Sequence, residues 1–537
     1  MTRKTAVVTQ QTASGKNTIL GLTAVFATYF ATTFFFRGVG VSLPKVAADL
    51  NGMPLYSWAI SLPALASAVI TLIFGKLSDV YGRRLLLAAS LVLYLAGALL
   101  SAASANFRFF LAARVILAIG QGALSSLCFS TIGDLFSPVE RSKWSGLLQI
   151  PAGIAALIGP TMVGMITDSL NWRYFFGLSA LLAAISAILV MNGVPKPPAR
   201  RTVLKIDFGG SCLLAVASAA MILGFSWAGS TYAWTSPQIV GLLAASAICW
   251  IILFRVESKA EEPMLDPQVF INRTFVTAAL AGFLSYFGML GVTMYYPLFL
   301  QGVRGTSASE SGQIITLFGV LMSFLGVPTG YMLARTKRCK WLYLVGYAIL
   351  TGGTFGMIAF DVDTPIWLGV LVTALVGLGL GAIPTINTLV AQFAVPRRLL
   401  GAAVGAMFAS VFMGGAIAPA ILGSVMNETY ATTLKESLPA ELNGIVDKET
   451  LSSLADPRVL LSAPAMATLK QALHGNEGND SALFDRTVRA IRQSLESSIK
   501  DVFLINALFT LASFLLILTI PEVHVGTEVL DKRPGKS

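Results

Sequence analysis

The chain has 537 residues, 55% of them hydrophobic and 12% charged, with a mean hydropathy of +0.73. A soluble protein carries about 25% charge, so this balance excludes a large soluble helical protein and places most of the chain in a bilayer. The formal net charge of +11 does not point to nucleic acid, because Lys and Arg gather in alternate short loops, the pattern of a polytopic membrane protein.

A bilayer crossing takes about 20 apolar residues. On that rule the spans are expected at about 18–43, 56–75, 84–104, 108–133, 144–167, 174–194, 208–229, 237–255, 274–299, 309–333, 341–360, 365–393, 399–426 and 501–520, fourteen in all. The tail 1–17 is polar and basic, and the first span is too long for a signal peptide core, so it reads as a retained helix. Basic clusters follow at Lys76, Arg83 and Arg84; Arg141 and Lys143; Lys196, Arg200, Arg201 and Lys205; Arg335, Lys337, Arg338 and Lys340; and Arg397 and Arg398. The intervening loops hold only Lys45, Arg108, Arg173 and Arg304. An even number of spans with this bias puts both termini in the cytoplasm. A polar segment at 427–500 then lies outside, and its apolar positions Leu483, Val488, Ile491 and Leu495 suggest an amphipathic helix running into the last span.

The halves repeat weakly. GPTMVG at Gly159–Gly164 returns as APAILG at Ala418–Gly423, and GQGA at Gly120–Ala123 returns as GLGA at Gly379–Ala382. The basic turn after Gly75 returns, degraded, after Gly330. The expected layout is therefore an N-terminal six-helix bundle at 18–194, a linker with two inserted helices at 195–257 and C-terminal helices at 258–426. The external loop 427–500, a final helix at 501–520 and a cytoplasmic tail at 521–537 complete it. Repeated halves around a midplane site are a transporter design.

The turn GKLSDVYGRR carries Gly75, Asp79, Gly82, Arg83 and Arg84. Its glycines suit a tight turn and close helix approach, and Asp79 is placed to meet a helix N-terminus or a cation across a bundle interface. This turn resembles the signature loop between helices 2 and 3 of the major facilitator superfamily, where it acts in gating. Three further stretches resemble the superfamily's 14-helix drug:proton antiporter branch. Gly159, Pro160 and Gly164 match its antiporter motif in helix 5, with Ala155 and Val163 departing from it. Arg114 matches an arginine tied to proton transfer, although Leu117 and Ala118 replace the Gln and Gly that accompany it. At the end of helix 1, alignment on Pro44 puts Phe35 where the branch has an aspartate and Arg37 where it has a threonine.

No carboxylate falls deep within a span, and Asp134, at the end of the fourth, is the best remaining candidate to carry a proton. It also reads as an ordinary loop feature. Arg37 and Arg114 fall at similar depth and are expected to favour anions over cations, unless Arg37 only reaches outward to the interface. Phe35, Gln121, Tyr286, Gln313 and Asn387 complete the substrate-binding candidates; polar residues in spans equally serve as helix–helix partners. Cys128, Cys212, Cys249 and Cys339 have neither disulfide nor metal spacing. GLGLG at Gly377–Gly381 lies inside an apolar helix and is packing, not a dinucleotide loop.

The resemblance implies an all-α polytopic membrane protein with the major facilitator fold, exporting hydrophobic or amphiphilic compounds across the cell membrane by proton-coupled antiport. The alternative is an exporter or flippase of an organic anion or acidic lipid-like molecule held by the membrane arginines. Expected partners are a small-molecule substrate, protons and the bilayer, with a monomeric state and with neither cofactor, metal nor nucleic acid. An enzyme would need intramembrane acid or histidine chemistry, and His474 and His524 both lie outside the spans.

Overall fold

The computed structural model describes residues 15–523 except 53–54, 196–207, 230–231, 258–266, 307, 397–398, 474–479 and most of 440–462. The tails, the proline-rich linker and the clusters at 200–205 and 397–398 thus lie outside the described residues.

The first seven helices are α1 (Gly15–Asp49), α2 (Tyr56–Tyr81), α3 (Arg83–Ala102), α4 (Phe107–Leu135), α5 (Pro138–Leu147), α6 (Gln149–Ser169) and α7 (Trp172–Gly193). Their starts follow local chemistry. The Asn106 and Asn171 side chains accept backbone N–H bonds at the heads of α4 and α7, and Ser137 with Glu140 forms a capping box ahead of α5, with Pro138 in its first turn. α1 and α4 pack on each other and on α2, α3, α6 and α7 to form one bundle, with Leu87, Leu91, Leu117, Phe175 and Phe176 among its fully buried residues.

The inserted helices α8 (Phe208–Trp227) and α9 (Pro237–Glu257) form a hairpin. α8 touches both α2 and a helix of the second bundle, α17 (Leu400–Ser437), so it straddles the seam between the bundles. At one end Trp227 meets Trp58 edge-on with ring centroids 5.5 Å apart, while Trp234 Nε1 donates to Ser424 Oγ at 2.7 Å.

The second bundle begins with α10 (Pro267–Ile271) and α11 (Arg273–Leu290). α11 continues through π-helical turns at Gly291–Tyr295 and Phe299–Val303, which flank the single turn α12 (Tyr296–Leu298). Pro297 supplies the cause: it has no N–H to give and its ring displaces the carbonyl four residues back, so the helix widens around it. Then come α13 (Ala308–Phe324), α14 (Gly326–Thr336), α15 (Lys340–Ile358), α16 (Ile366–Phe393), α17, α18 (Ala463–Leu473) and α19 (Asp480–Leu518). α19 runs unbroken from the polar loop into the last span, with Ile491 and Leu495 buried and Arg489 and Arg492 exposed. The loop sits on the second bundle: Tyr430 Oη donates to the Leu454 carbonyl at 2.9 Å and Thr429 Oγ1 to Asp501 at 2.9 Å.

Among the described residues, 13 helical stretches are long and apolar enough to cross a membrane. They fall on thirteen of the expected spans; on the other lies the 20-residue α8, which carries the apolar stretch Cys212–Phe225. Several helices outrun their expected ends: α1 extends to Asp49, α17 to Ser437, and α19 starts at Asp480.

Candidate functional site

The two bundles meet most closely at the end that holds the 75–84 turn, and glycine makes this approach possible. A Cβ on Gly75 of α2 would lie 2.7 Å from the Gly401 carbonyl oxygen and 3.1 Å from Gly405 Cα on α17. A Cβ on Gly146 of α5 would lie 2.5 Å from the Gly326 carbonyl oxygen and 3.0 Å from Gly330 Cα on α14. Because Gly330 is the repeat counterpart of Gly75, these are two copies of one crossing, related by the internal symmetry. Gly401–Gly405 and Gly326–Gly330 each have the small-xxx-small spacing that lets helix backbones touch.

The copy at Gly75 carries an ionic lock. Leu399 precedes α17 and offers no side-chain cap, so the first N–H groups of that helix need an acceptor. Asp79 supplies it from the other bundle: Oδ1 accepts from Gly401 N–H and Oδ2 from Ala402 N–H, both at 2.8 Å. The carboxylate also meets the positive end of the helix dipole. Arg83 Nη2 donates to Asp79 at 2.6 Å and its Nε to Asp134 at 2.7 Å, with a further bond to Ser78. One guanidinium thereby ties the foot of α2 and the head of α3 to the foot of α4. Gly82 joins α2 to α3 with φ 87° and ψ 151°, a conformation open essentially to glycine alone. In the second copy, Lys337 takes the left-handed φ of 55° at the corresponding turn, and Lys143 lies 5.2 Å from the Tyr331 ring.

Above this gate Phe129 of α4 meets Phe408 of α17 at 5.4 Å. Tyr29 stands against Phe129 at 5.5 Å and Phe412 follows Phe408 at 6.5 Å, so an aromatic floor joins the bundles. Higher up, α1 and α11 do not pack along each other. Arg37 of α1 and, from the second bundle, Tyr286 of α11 are near one another across that space. Tyr286 rests on Gly414 and Gly415; Arg37 Cβ faces Gly159, where an added Cβ would be 3.6 Å away.

The other sequence candidates divide clearly. Phe35 is fully buried inside the first bundle, stacked on Phe175 at 5.3 Å, and Arg114 lies over its ring at 5.2 Å. Where the antiporter resemblance has an aspartate, this chain therefore holds its arginine by a cation–π contact. Residues 35 and 37 project about 200° apart around α1, so Arg114 and Arg37 lie on opposite sides of that helix rather than in one cavity. Gln121 donates to the Thr32 carbonyl at 3.0 Å within the first bundle. Asn387 is buried in the second bundle and accepts from Tyr343. Gln313 is exposed on α13. Gly164 faces Val41, and Pro160 lies within α6. Asp134, partly exposed, belongs to the gate through Arg83. No cluster of metal-ligating side chains occurs among the described residues. Gly75 was among the sequence candidates for close approach, but its partners Gly401 and Gly405, the Gly146–Gly326 crossing, Tyr29 and the Phe129–Phe408 contact were not, although the G-x-x-x-G spacing at Gly401 and Gly326 was there to be read.

Two helical bundles with repeated motifs, sealed at one end and facing each other across an aromatic-floored space, define a membrane transport protein. The sequence profile of the Major Facilitator Superfamily matches residues 25–419, and the chain belongs to that family. It is 29% identical to the multidrug transporter protein MdtP of Bacillus subtilis (strain 168), over 97% of this chain and 96% of that one. It is 27% identical to multidrug resistance protein 3 of the same strain, over 91% and 92% of the two chains. Among solved structures it resembles the human organic anion transporter MFSD10 (TM-score 0.56, 16% identity, 92% of this chain and 99% of that one). The proton:xylose symporter XylE is similar to the same degree (TM-score 0.56, 13% identity, 96% and 98%). At these identities the structural likenesses concern the fold.

Proposed function

We propose that the protein is a secondary active exporter of hydrophobic and amphiphilic small molecules, exchanging them for protons by alternating access, with both termini in the cytoplasm. The observation that carries this reading is Asp79 capping a helix of the opposite bundle. A contact of that kind exists only while the bundles are closed at the 75–84 end and must break for that end to open. The two glycine crossings support the same view, since they make a seal without interlocking side chains that can part and re-form. The substrate class is supported by the multidrug relatives and by the aromatic floor. Arg114 and Asp134 are the proton-transfer candidates; opening the gate would part Asp79 from the Gly401 and Ala402 amides and expose it, still paired with Arg83, to the cytoplasm.

The test is substrate-driven proton movement in proteoliposomes with an imposed pH gradient. Addition of a transported amphiphile should collapse the gradient in the wild type and not in Asp79→Asn. Transport with no proton signal would remove antiport, and absence of transport for every amphiphile would remove the export reading.

A further inference from the structure

Among the described residues Arg37 forms no ion pair. Arg37 sits 12 residues before the end of α1, about 18 Å along the axis. Cβ bonds tilt toward a helix N-terminus, and α1 starts at the gate end, so the Arg37 side chain leans down into the protein rather than out toward the interface. Tyr29, two turns nearer the gate on the same helix, and Tyr286, from the second bundle, are its aromatic neighbours. Its Nε is buried and has no hydrogen-bond partner.

No carboxylate stands ready to balance this charge. On the surrounding helices the acidic residues are Asp49 of α1, Asp134 of α4, Asp168 of α6, Glu310 of α13, and Glu428 and Glu436 of α17, all towards helix ends, and α11 has none. Arg114 adds a second positive charge in the same bundle, over the Phe35 ring. A partly buried guanidinium without an ionic partner is costly, and an ionisable group within a span marks a functional site. A guanidinium and the phenol hydroxyls of Tyr29 and Tyr286 share one polarity, since each can donate to an anionic acceptor. Below them the rings of Phe129, Phe408 and Phe412 offer an apolar bed.

We infer that this site takes amphiphiles with a compact anionic head, such as a carboxylate or sulfonate, with Arg37 binding the head and the Phe129–Phe408–Phe412 floor taking the apolar body. The assignment rests on the export reading above and adds the charge of the cargo to it. A lipophilic cation entering the same space meets uncompensated positive charge and is rejected.

The experiment measures binding to the full chain in nanodiscs of two fluorophores that share one naphthalene ring system, one bearing a sulfonate and the other a trimethylammonium group. The wild type should bind the sulfonate at least tenfold more tightly. Arg37→Gln should lose tenfold or more for the sulfonate while binding the ammonium probe no worse, and Arg37→Lys, which keeps the charge, should keep the preference. A wild type that binds the ammonium probe as well as the sulfonate overturns the inference, as does an Arg37→Gln protein that loses both probes equally while Arg37→Lys behaves the same way. Vesicle uptake separates the two levels: export of neutral amphiphiles without sulfonate preference overturns the charge assignment alone, whereas no uptake of any probe overturns both.

Discussion

Replacing Gly75 by alanine adds a single methyl group where two helix backbones cross. That methyl would lie 2.7 Å from the Gly401 carbonyl oxygen and 3.1 Å from Gly405 Cα. Both obstacles are main chain, so no side-chain rotation relieves them, and overpacking of this kind costs about 1–3 kcal/mol. Only the conformation closed at this end bears the cost, because α2 and α17 separate when it opens. The equilibrium between the conformations should therefore shift by about 5- to 150-fold toward the open-gate state. Spin labels at Tyr81 and Thr336, exposed sites on opposite bundles at the gate end, would report the shift as a larger long-distance population. The native cysteines, all unpaired in the structure, would first be replaced. Gly352→Ala is the control, since nothing lies within 4 Å of its added Cβ. Identical distance distributions for Gly75→Ala and Gly352→Ala would refute the reasoning.

Other expectations follow from the same contacts. Asp79→Asn removes the charged member of a buried pair, a change of about 3–5 kcal/mol, and should depress initial transport rates for neutral and charged substrates alike; loss confined to one substrate would assign Asp79 to recognition instead. Gly82→Ala forces a side chain into a glycine-only conformation, at about 1–3 kcal/mol, and should lower the melting temperature of the purified protein, whereas an unchanged melting temperature would contradict the turn's geometry. Trp234→Ala, which removes the bond to Ser424, should loosen the inserted hairpin and raise hydrogen exchange in 227–236; unchanged exchange there would show that the bond does not hold the hairpin. Outside the spans, the Thr364 hydroxyl donates to Asp361 at 2.8 Å and holds its carboxyl below the usual range. Its depressed pKa means that this stabilisation is present above the ordinary carboxylate range and is lost as pH falls through the native value. Thr364→Val should therefore lower thermal stability at neutral pH and match the wild type in strong acid; a pH-independent gap would contradict this.

Much of the architecture was legible because membrane insertion writes itself as long apolar runs with basic flanks, and the observed helices fall where those runs are. The 75–84 turn was legible too: Asp79 does meet a helix N-terminus across the bundle interface. The helix it meets was not, since nothing local marks Leu400 as the uncapped start of its partner. Likewise Gly146 and Gly330 acquire meaning only once two distant helices cross. The relation between the two arginines depended on helical phase. Similar depth suggested one cavity, but the two-residue offset between Phe35 and Arg37 sends Arg114's partner inward and Arg37 toward the other bundle. Phe35 itself is intelligible only in three dimensions, as the ring that takes a carboxylate's place beneath Arg114.

The central claim is that one seal opens as the other closes. Its most direct test is a pair of distances in the same protein: Tyr81 to Thr336 at the gate end, and Lys45 to Trp367, exposed residues at the opposite end. Substrate and a proton gradient should lengthen the first as they shorten the second. Two distances that stay fixed, or that lengthen together, would contradict alternating access by this fold.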